Sequence, residues 1–134
     1  MQKTSTKRVT ANLVTLASEL PQLIKGLDEQ IQSIAETMAK LKRNGLVYAS
    51  PHWKRDKSGT PKYFYLLHTQ RKGEPRNREY VGCDEARIAA AQAAIERAKK
   101  YDDLSQQLAR LQMRAEQGAQ VLANAKGVLS GRGW

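Results

Sequence analysis

The chain has 134 residues, 40% of them hydrophobic, with a formal net charge of +10 and a pI near 9.9. That length holds one domain or a small head on a helical stalk, and because much of the apolar content is Ala and Leu in periodic segments, a large globular core is excluded. The basic balance favours nucleic acid, an anionic membrane surface or an acidic protein as partner, and by itself does not choose among them.

Residues 1–8 are polar and basic and read as a loose arm. No unbroken apolar run of signal-peptide length follows, because Thr15, Ser18 and Glu19 interrupt it. No stretch approaches the ~20 apolar residues of a membrane span. The expectation is a soluble, cytoplasmic protein with no membrane partner.

Residues 9–44 read as a first helical arm. Leu13, Leu16, Leu20 and Leu23 fall on one stripe. Leu27, Ile31, Ile34, Met38 and Leu41 continue it at alternating spacings of four and three, a coiled-coil signal. Pro21 lacks an amide donor, so the helix is expected to kink there or to divide into a short first helix and a longer second one. Asn44-Gly45 ends the run, with Gly45 suited to a left-handed cap.

Residues 45–82 change character. From Leu46 to Gly82 lie six of the eight aromatic residues of the chain, with eight Lys or Arg against three acids, so half of the net charge is local to this insert. LVYAS reads as a short strand and residues 51–61 as a loop, punctuated by Pro51, Ser58-Gly59 and Pro61. Lys62 to Thr69 is rich in aromatic residues and reads as a strand, QRKGEPR as a hairpin tip and NREYVG as the return strand. With Thr69 opposite Asn77, Phe64, Leu66 and Tyr80 would share one face, and Tyr63, Tyr65, Leu67 and Val81 the other. One face would pack on the helices and the other would meet a partner. The pattern leaves open which does which.

Residues 83–129 read as a long second helix capped by Cys83 or Asp84, with Glu85 in its first turn. Ile88, Ala91, Ile95 and Ala98 make a small-residue stripe, continued by Leu104, Leu108, Leu111, Ala115 and Leu122, with a slip in phase near residues 101–103. Such a helix, roughly 65 Å long, needs a partner along its length. The first arm supplies one as an antiparallel hairpin, and a second copy of the chain supplies another. Residues 130–134 read as a flexible tail.

The chemistry legible in these residues is that of binding. Arg71, Lys72, Arg76 and Arg78 at the hairpin tip, with Lys54, Arg55 and Lys62, are candidates for phosphate contacts, and Tyr63 and Tyr65 for contacts with bases or sugars. A basic ribbon is also compatible with a major groove. The bland reading is that the charges keep a small sheet soluble and blunt its edges, while Trp53 plugs the junction between sheet and helices. His52 and His68 have no matching cysteine or carboxylate cluster, so no metal site is expected. The lone Cys83 permits neither an intrachain disulfide nor a thiolate zinc site, which fits a reducing compartment. No catalytic triad, paired carboxylates, Walker loop or GxGxxG is present, so neither an enzyme nor a cofactor is expected.

The stretch GTPKYFYLLHTQRKGEPRNREYVG, followed at once by a helix, resembles a pattern of uncharacterised small proteins from bacterial plasmids, phages and integrative elements. There an aromatic strand, a basic turn with glycine, a YV-type strand and a helix follow one another. It is also similar to the arm-type DNA-binding sheets of phage integrases. The resemblance covers about residues 59–100 and is carried by Tyr63, Phe64, Tyr65, Leu66, Arg71, Lys72, Gly73, Tyr80, Val81 and Gly82. The cysteines that some of those proteins carry before the aromatic strand are absent, so a zinc reading does not transfer. The resemblance implies a mobile-element setting and DNA binding.

The sequence therefore leads to an α+β fold, mainly α: a long antiparallel helical hairpin or coiled coil with a small three-stranded antiparallel sheet between its arms. Its expected role is non-enzymatic binding of DNA in a bacterial mobile element, regulatory or accessory to DNA processing, with RNA as the other nucleic acid admitted, by a homodimer formed through the helices. The alternative is a protein-interaction module, such as a phage or plasmid inhibitor or adaptor that binds a host protein.

Overall fold

The structure, a computed structural model, describes residues 8–69 and 73–132. Its elements in chain order are α1 (Val9–Asn44), β1 (Ala49–Arg55), β2 (Pro61–His68), β3 (Arg78–Gly82) and α2 (Glu85–Leu129). The architecture is α+β and mainly α, with an antiparallel sheet in the order β1-β2-β3. Contacts divide the chain into two units: residues 36–107, which hold the sheet, and the two helical arms, residues 1–35 with 108–134.

Helix α1 is one element with Pro21 inside it, so of the two expectations, a kink or a division into two helices, the division does not occur. Proline fixes φ near the helical value and removes one amide donor. The carbonyl left without that donor belongs to Ala17, which is exposed, so solvent can satisfy it. Lys42 and Arg43 sit in the last turn, where they complement the helix dipole. Gly45 ends the helix at φ 101°, its amide donating to the Lys42 carbonyl at 3.1 Å.

Strand β1 also differs from expectation. Residues 51–55 belong to the strand rather than to a loop. Pro51 is tolerated because β1 is an edge strand, where a missing amide need not cost a ladder bond. The turn to β2 is tied by Asp56, whose Oδ1 accepts from the Ser58 amide at 2.9 Å, the Ser58 hydroxyl at 2.7 Å and the Thr60 amide at 3.0 Å. These bonds, the Ser58 hydroxyl first, hold the Asp56 carboxyl below the usual carboxylate range.

The core of the sheet-bearing unit is small. Phe64, Leu66, Ile88 and Ile95 are buried together, with Val47, Ala49, Val81 and Ala91 packed against them. Phe64 is fully buried. One sheet face thus packs on the first turns of α2. Asp84 caps that helix by accepting from the Arg87 amide at 3.2 Å. The segment after Gly45 is fastened to α2 twice. The Val47 amide donates to the Ala94 carbonyl at 3.2 Å, and Arg97 Nε donates to the Gly45 carbonyl at 2.8 Å. Farther along, the Tyr48 hydroxyl donates to Asp102 at 2.9 Å, a bond that raises the Tyr48 pKa.

Along the helices burial fades. Ile88, Ala94, Ile95 and Ala98 of α2 are buried, and Leu104, Leu108 and Leu111 are partly buried. In α1 no residue is fully buried, but Leu27, Ile31, Ile34, Met38 and Leu41 are partly covered. In the helical arms Val9, Leu13, Val14, Leu16, Leu23 and Ile24 of α1, and Val121, Leu122, Val128 and Leu129 of α2, are exposed.

Candidate functional site: the outer face of the sheet

Residues directly opposite one another in neighbouring strands point to the same face of a sheet. Across β1 and β2 the pairs are Ser50 with Leu67, His52 with Tyr65 and Lys54 with Tyr63. Across β2 and β3 they are Tyr65 with Tyr80 and Leu67 with Arg78. Since Phe64 and Leu66 face the core, these residues form the opposite, outer face.

Aromatic rings cross that face. The His52 and Tyr65 rings lie 6.3 Å apart between centroids, and those of Tyr65 and Tyr80 lie 4.9 Å apart. Tyr80 is 54% exposed. Desolvation beside its neighbours is the first cause that raises the Tyr80 pKa. Cations border the rings. Arg78 Cζ stands 5.9 Å from the Tyr65 centroid and Lys62 Nζ 5.7 Å from that of Tyr63.

Two irregularities in register shape this face. Lys54 pairs with Tyr63 but Arg55 pairs with Pro61, so Lys62 is an extra residue and sits beside the Tyr63 ring. Phe64 pairs with Gly82 but Tyr65 pairs with Tyr80, so Val81 is the extra residue on β3. Gly82, at φ 117°, supplies backbone freedom at this bulge. The expected grouping of Phe64, Leu66 and Tyr80 is overturned here. Tyr80 joins Tyr65 on the outer face, and Val81 joins the core. A shift of one residue reverses which side a strand residue faces.

Two of the three acids of the insert have partners away from the rings. Glu79 pairs across the other face with His68 at 2.8 Å, and Asp56 is folded into its own turn. The strand positions of the outer face therefore carry Lys54 and Arg78, with Lys62 at the bulge, and no carboxylate.

The remaining sequence candidates have different placements. Arg55 Nη1 donates to the Gly59 carbonyl at 2.7 Å and braces the β1–β2 turn. Arg76 donates from Nε to the His68 carbonyl at 3.0 Å and from Nη2 to Ser50 Oγ at 3.2 Å, tying the segment before β3 to the other two strands. Arg71 and Lys72 lie outside the described residues. Trp53, on the core side, meets Phe64 edge-on at a centroid distance of 4.9 Å and remains 41% exposed. Sequence reasoning passed over His52 and Tyr80 as site residues. The alternation of His52 with Lys54 would have found the first, once β1 was extended through Arg55.

Among the described residues no group of three His, Cys, Asp or Glu is arranged to hold a metal ion, and no helix is long and apolar enough to cross a membrane. Fold and site thus define an α+β, mainly helical protein with a basic, aromatic sheet face. The chain matches no protein-family model, no curated protein and no solved structure.

Proposed function

We propose that the protein is a non-enzymatic nucleic-acid-binding protein, acting on DNA in the first instance, that binds through the outer face of its sheet. The observation that carries this reading is the row His52, Tyr65 and Tyr80 bordered by Lys54, Lys62 and Arg78, with Glu79 on the other face and Asp56 bonded into its own turn. Cations attract phosphates, and exposed rings offer apolar surface to bases or sugars. Arg71 and Lys72, outside the described residues, keep their sequence-based role as candidate phosphate contacts. Arg55 and Arg76 act mainly as braces.

A second copy of the chain is the proposed partner of the helical arms. The exposed apolar residues of the arms favour it. So does charge: residues 9–35 carry Glu19, Asp28 and Glu29 against Lys25, whereas residues 108–132 carry Arg110, Arg114, Lys126 and Arg132 against Glu116. An α1 arm of one copy laid on an α2 arm of the other joins opposite charges. The cytoplasmic, mobile-element setting implied by the sequence resemblance is part of the proposal.

The test is fluorescence anisotropy with labelled DNA across a salt series, comparing the wild type with a Lys54→Ala/Lys62→Ala/Arg78→Ala variant. Phosphate binding weakens as a power of salt set by the number of phosphates neutralised, so removing three contacts flattens the slope by ~2–3. Absence of binding at low salt, or an unchanged slope, overturns the reading in favour of a protein-interaction module.

A further inference from the structure

The geometry points to unpaired bases as the ligand of this face: we infer that the outer sheet surface is a stacking platform for single-stranded nucleic acid rather than a reader of duplex grooves. The inference rests on the function proposed above and narrows its substrate class.

A protein that reads a duplex meets base edges, because the flat faces of paired bases are occupied by their neighbours in the stack. Edge reading calls for side chains with directed donors and acceptors, such as Arg, Asn or Gln, at the centre of the inserted surface. The central strand here offers no Arg, Asn or Gln, only the hydroxyls at the tips of its tyrosine rings. Its outward positions are Tyr63, Tyr65 and Leu67, and the rings continue sideways into His52 on one edge strand and Tyr80 on the other. The cations stand around the rings rather than among them. Lys54 is on the β1 edge, Lys62 is displaced by its bulge to the Tyr63 end, and Arg78 is on the β3 edge.

This is the arrangement that an unpaired strand needs. A base whose face is free stacks on an aromatic ring whatever its identity, and the phosphates that flank it reach cations at the rim. Tyr80 is the most accessible tyrosine of the row, at 54% exposure, and leans on Tyr65 with a tilt of 49° between ring planes. Arg78 adds a planar guanidinium beside Tyr65, able to stack or to hold a phosphate through two parallel hydrogen bonds. DNA and RNA both offer stackable base faces and flanking phosphates to such a surface. The commitment is to strands with unpaired bases.

The experiment uses the full chain at one low salt concentration, titrated into three labelled ligands of equal length: a mixed-sequence single strand, the corresponding duplex, and a single strand in which most nucleotides are abasic. The abasic strand keeps its phosphates and loses its stacking partners. The single strand is expected to bind about tenfold or more tighter than either other ligand, the scale of one or two base–ring stacks. Tyr80→Ala is expected to reduce single-strand affinity by about tenfold while leaving affinity for the abasic strand unchanged, and Tyr80→Phe to restore it. Because Tyr80 is an exposed residue, its far-UV and near-UV circular dichroism serve to show that the variant is folded. Equal or tighter binding of the duplex, or equal binding of the abasic strand, overturns the platform and leaves nucleic-acid binding standing. Absence of salt-sensitive binding to all three ligands overturns both.

Discussion

Tyr80 stands directly opposite Tyr65 in the ladder between β2 and β3, and their rings meet at 4.9 Å between centroids. A cross-strand aromatic pair of this kind contributes about 0.5–1.5 kcal/mol beyond its buried area. A double-mutant cycle of Tyr65→Ala and Tyr80→Ala, measured by urea unfolding, should return a coupling energy in that range. The two residues would be independent if the single losses simply add, and the pairing would then be a proximity without energy.

The same pair explains what the sequence could and could not reveal. The existence of the helices and of the three strands follows from apolar periodicity and from aromatic segments set off by Gly and Pro. The expected alignment of Thr69 with Asn77 implies Phe64 opposite Gly82, and the sheet has that pair. Beyond it the Val81 bulge moves the ladder by one residue, and Tyr80 changes sides. A bulge is a single inserted residue whose local cost is small, so alternation alone does not locate it; Gly82 next to Val81 was the available sign. The position of strand β1, expected at residues 46–50 and found at Ala49–Arg55, was hidden for a related reason. Pro51 argues against a central strand, and only the position of β1 at the sheet edge makes it harmless. Pro21 likewise leaves a kink or a division open from sequence, because whether an exposed helix loses one hydrogen bond to water and continues is decided by its surroundings.

Phe64 is the one fully buried large side chain among the described residues, in a core of few members. Phe64→Ala should cost about 3–5 kcal/mol, through lost transfer energy and an unfilled cavity. In so small a core that is expected to abolish the tertiary signal of the sheet. Near-UV circular dichroism and protection of the β2 amides from hydrogen exchange would read it, and retention of both would show that the core is not centred on this ring.

Arg97 joins α2 to the turn that leaves α1, its Nε donating to the Gly45 carbonyl at 2.8 Å in a half-buried position. A hydrogen bond from a charged donor contributes about 1.5–3 kcal/mol, so Arg97→Met, which keeps the aliphatic stem, should lose an amount near the lower end. Arg97→Lys is expected to recover little, because the bond depends on the position of Nε within the guanidinium plane. Chemical denaturation of the three proteins would check it, and equal stability of all three would remove this bond from the account.

The Asp56 turn gives stability a defined dependence on pH. Its carboxyl is held below the usual range by the Ser58 hydroxyl first, then by the Thr60 amide. A group whose pKa is lowered on folding stabilises the fold above its unfolded pKa, and that contribution disappears as pH falls through the folded value. Thermal unfolding of Asp56→Ala should therefore lie below that of the wild type at neutral pH. The gap should close in acid below the ordinary carboxylate range, where the wild type loses the same interaction. A gap that stays constant from neutral pH into acid would assign the effect to the turn's shape rather than to its charge.

The helical arms offer a test of self-association that is separable from folding. Leu16 and Leu23 are 53% and 66% exposed in the single chain, so replacing them costs little there. In a dimer built on the α1 and α2 arms they would be covered, and burying a leucine side chain contributes about 1.5–3 kcal/mol. Leu16→Glu/Leu23→Glu should then weaken association by several orders of magnitude while leaving helix content and the melting of the isolated chain nearly unchanged. Two added acids on the already acidic α1 arm do not repel the basic α2 arm of the other copy, so the loss would report apolar contact rather than charge. Sedimentation equilibrium reads the outcome directly: wild type at twice the 15.0 kDa chain mass and the variant at the chain mass itself. A wild type that remains at 15.0 kDa at high concentration would leave the arms to another partner.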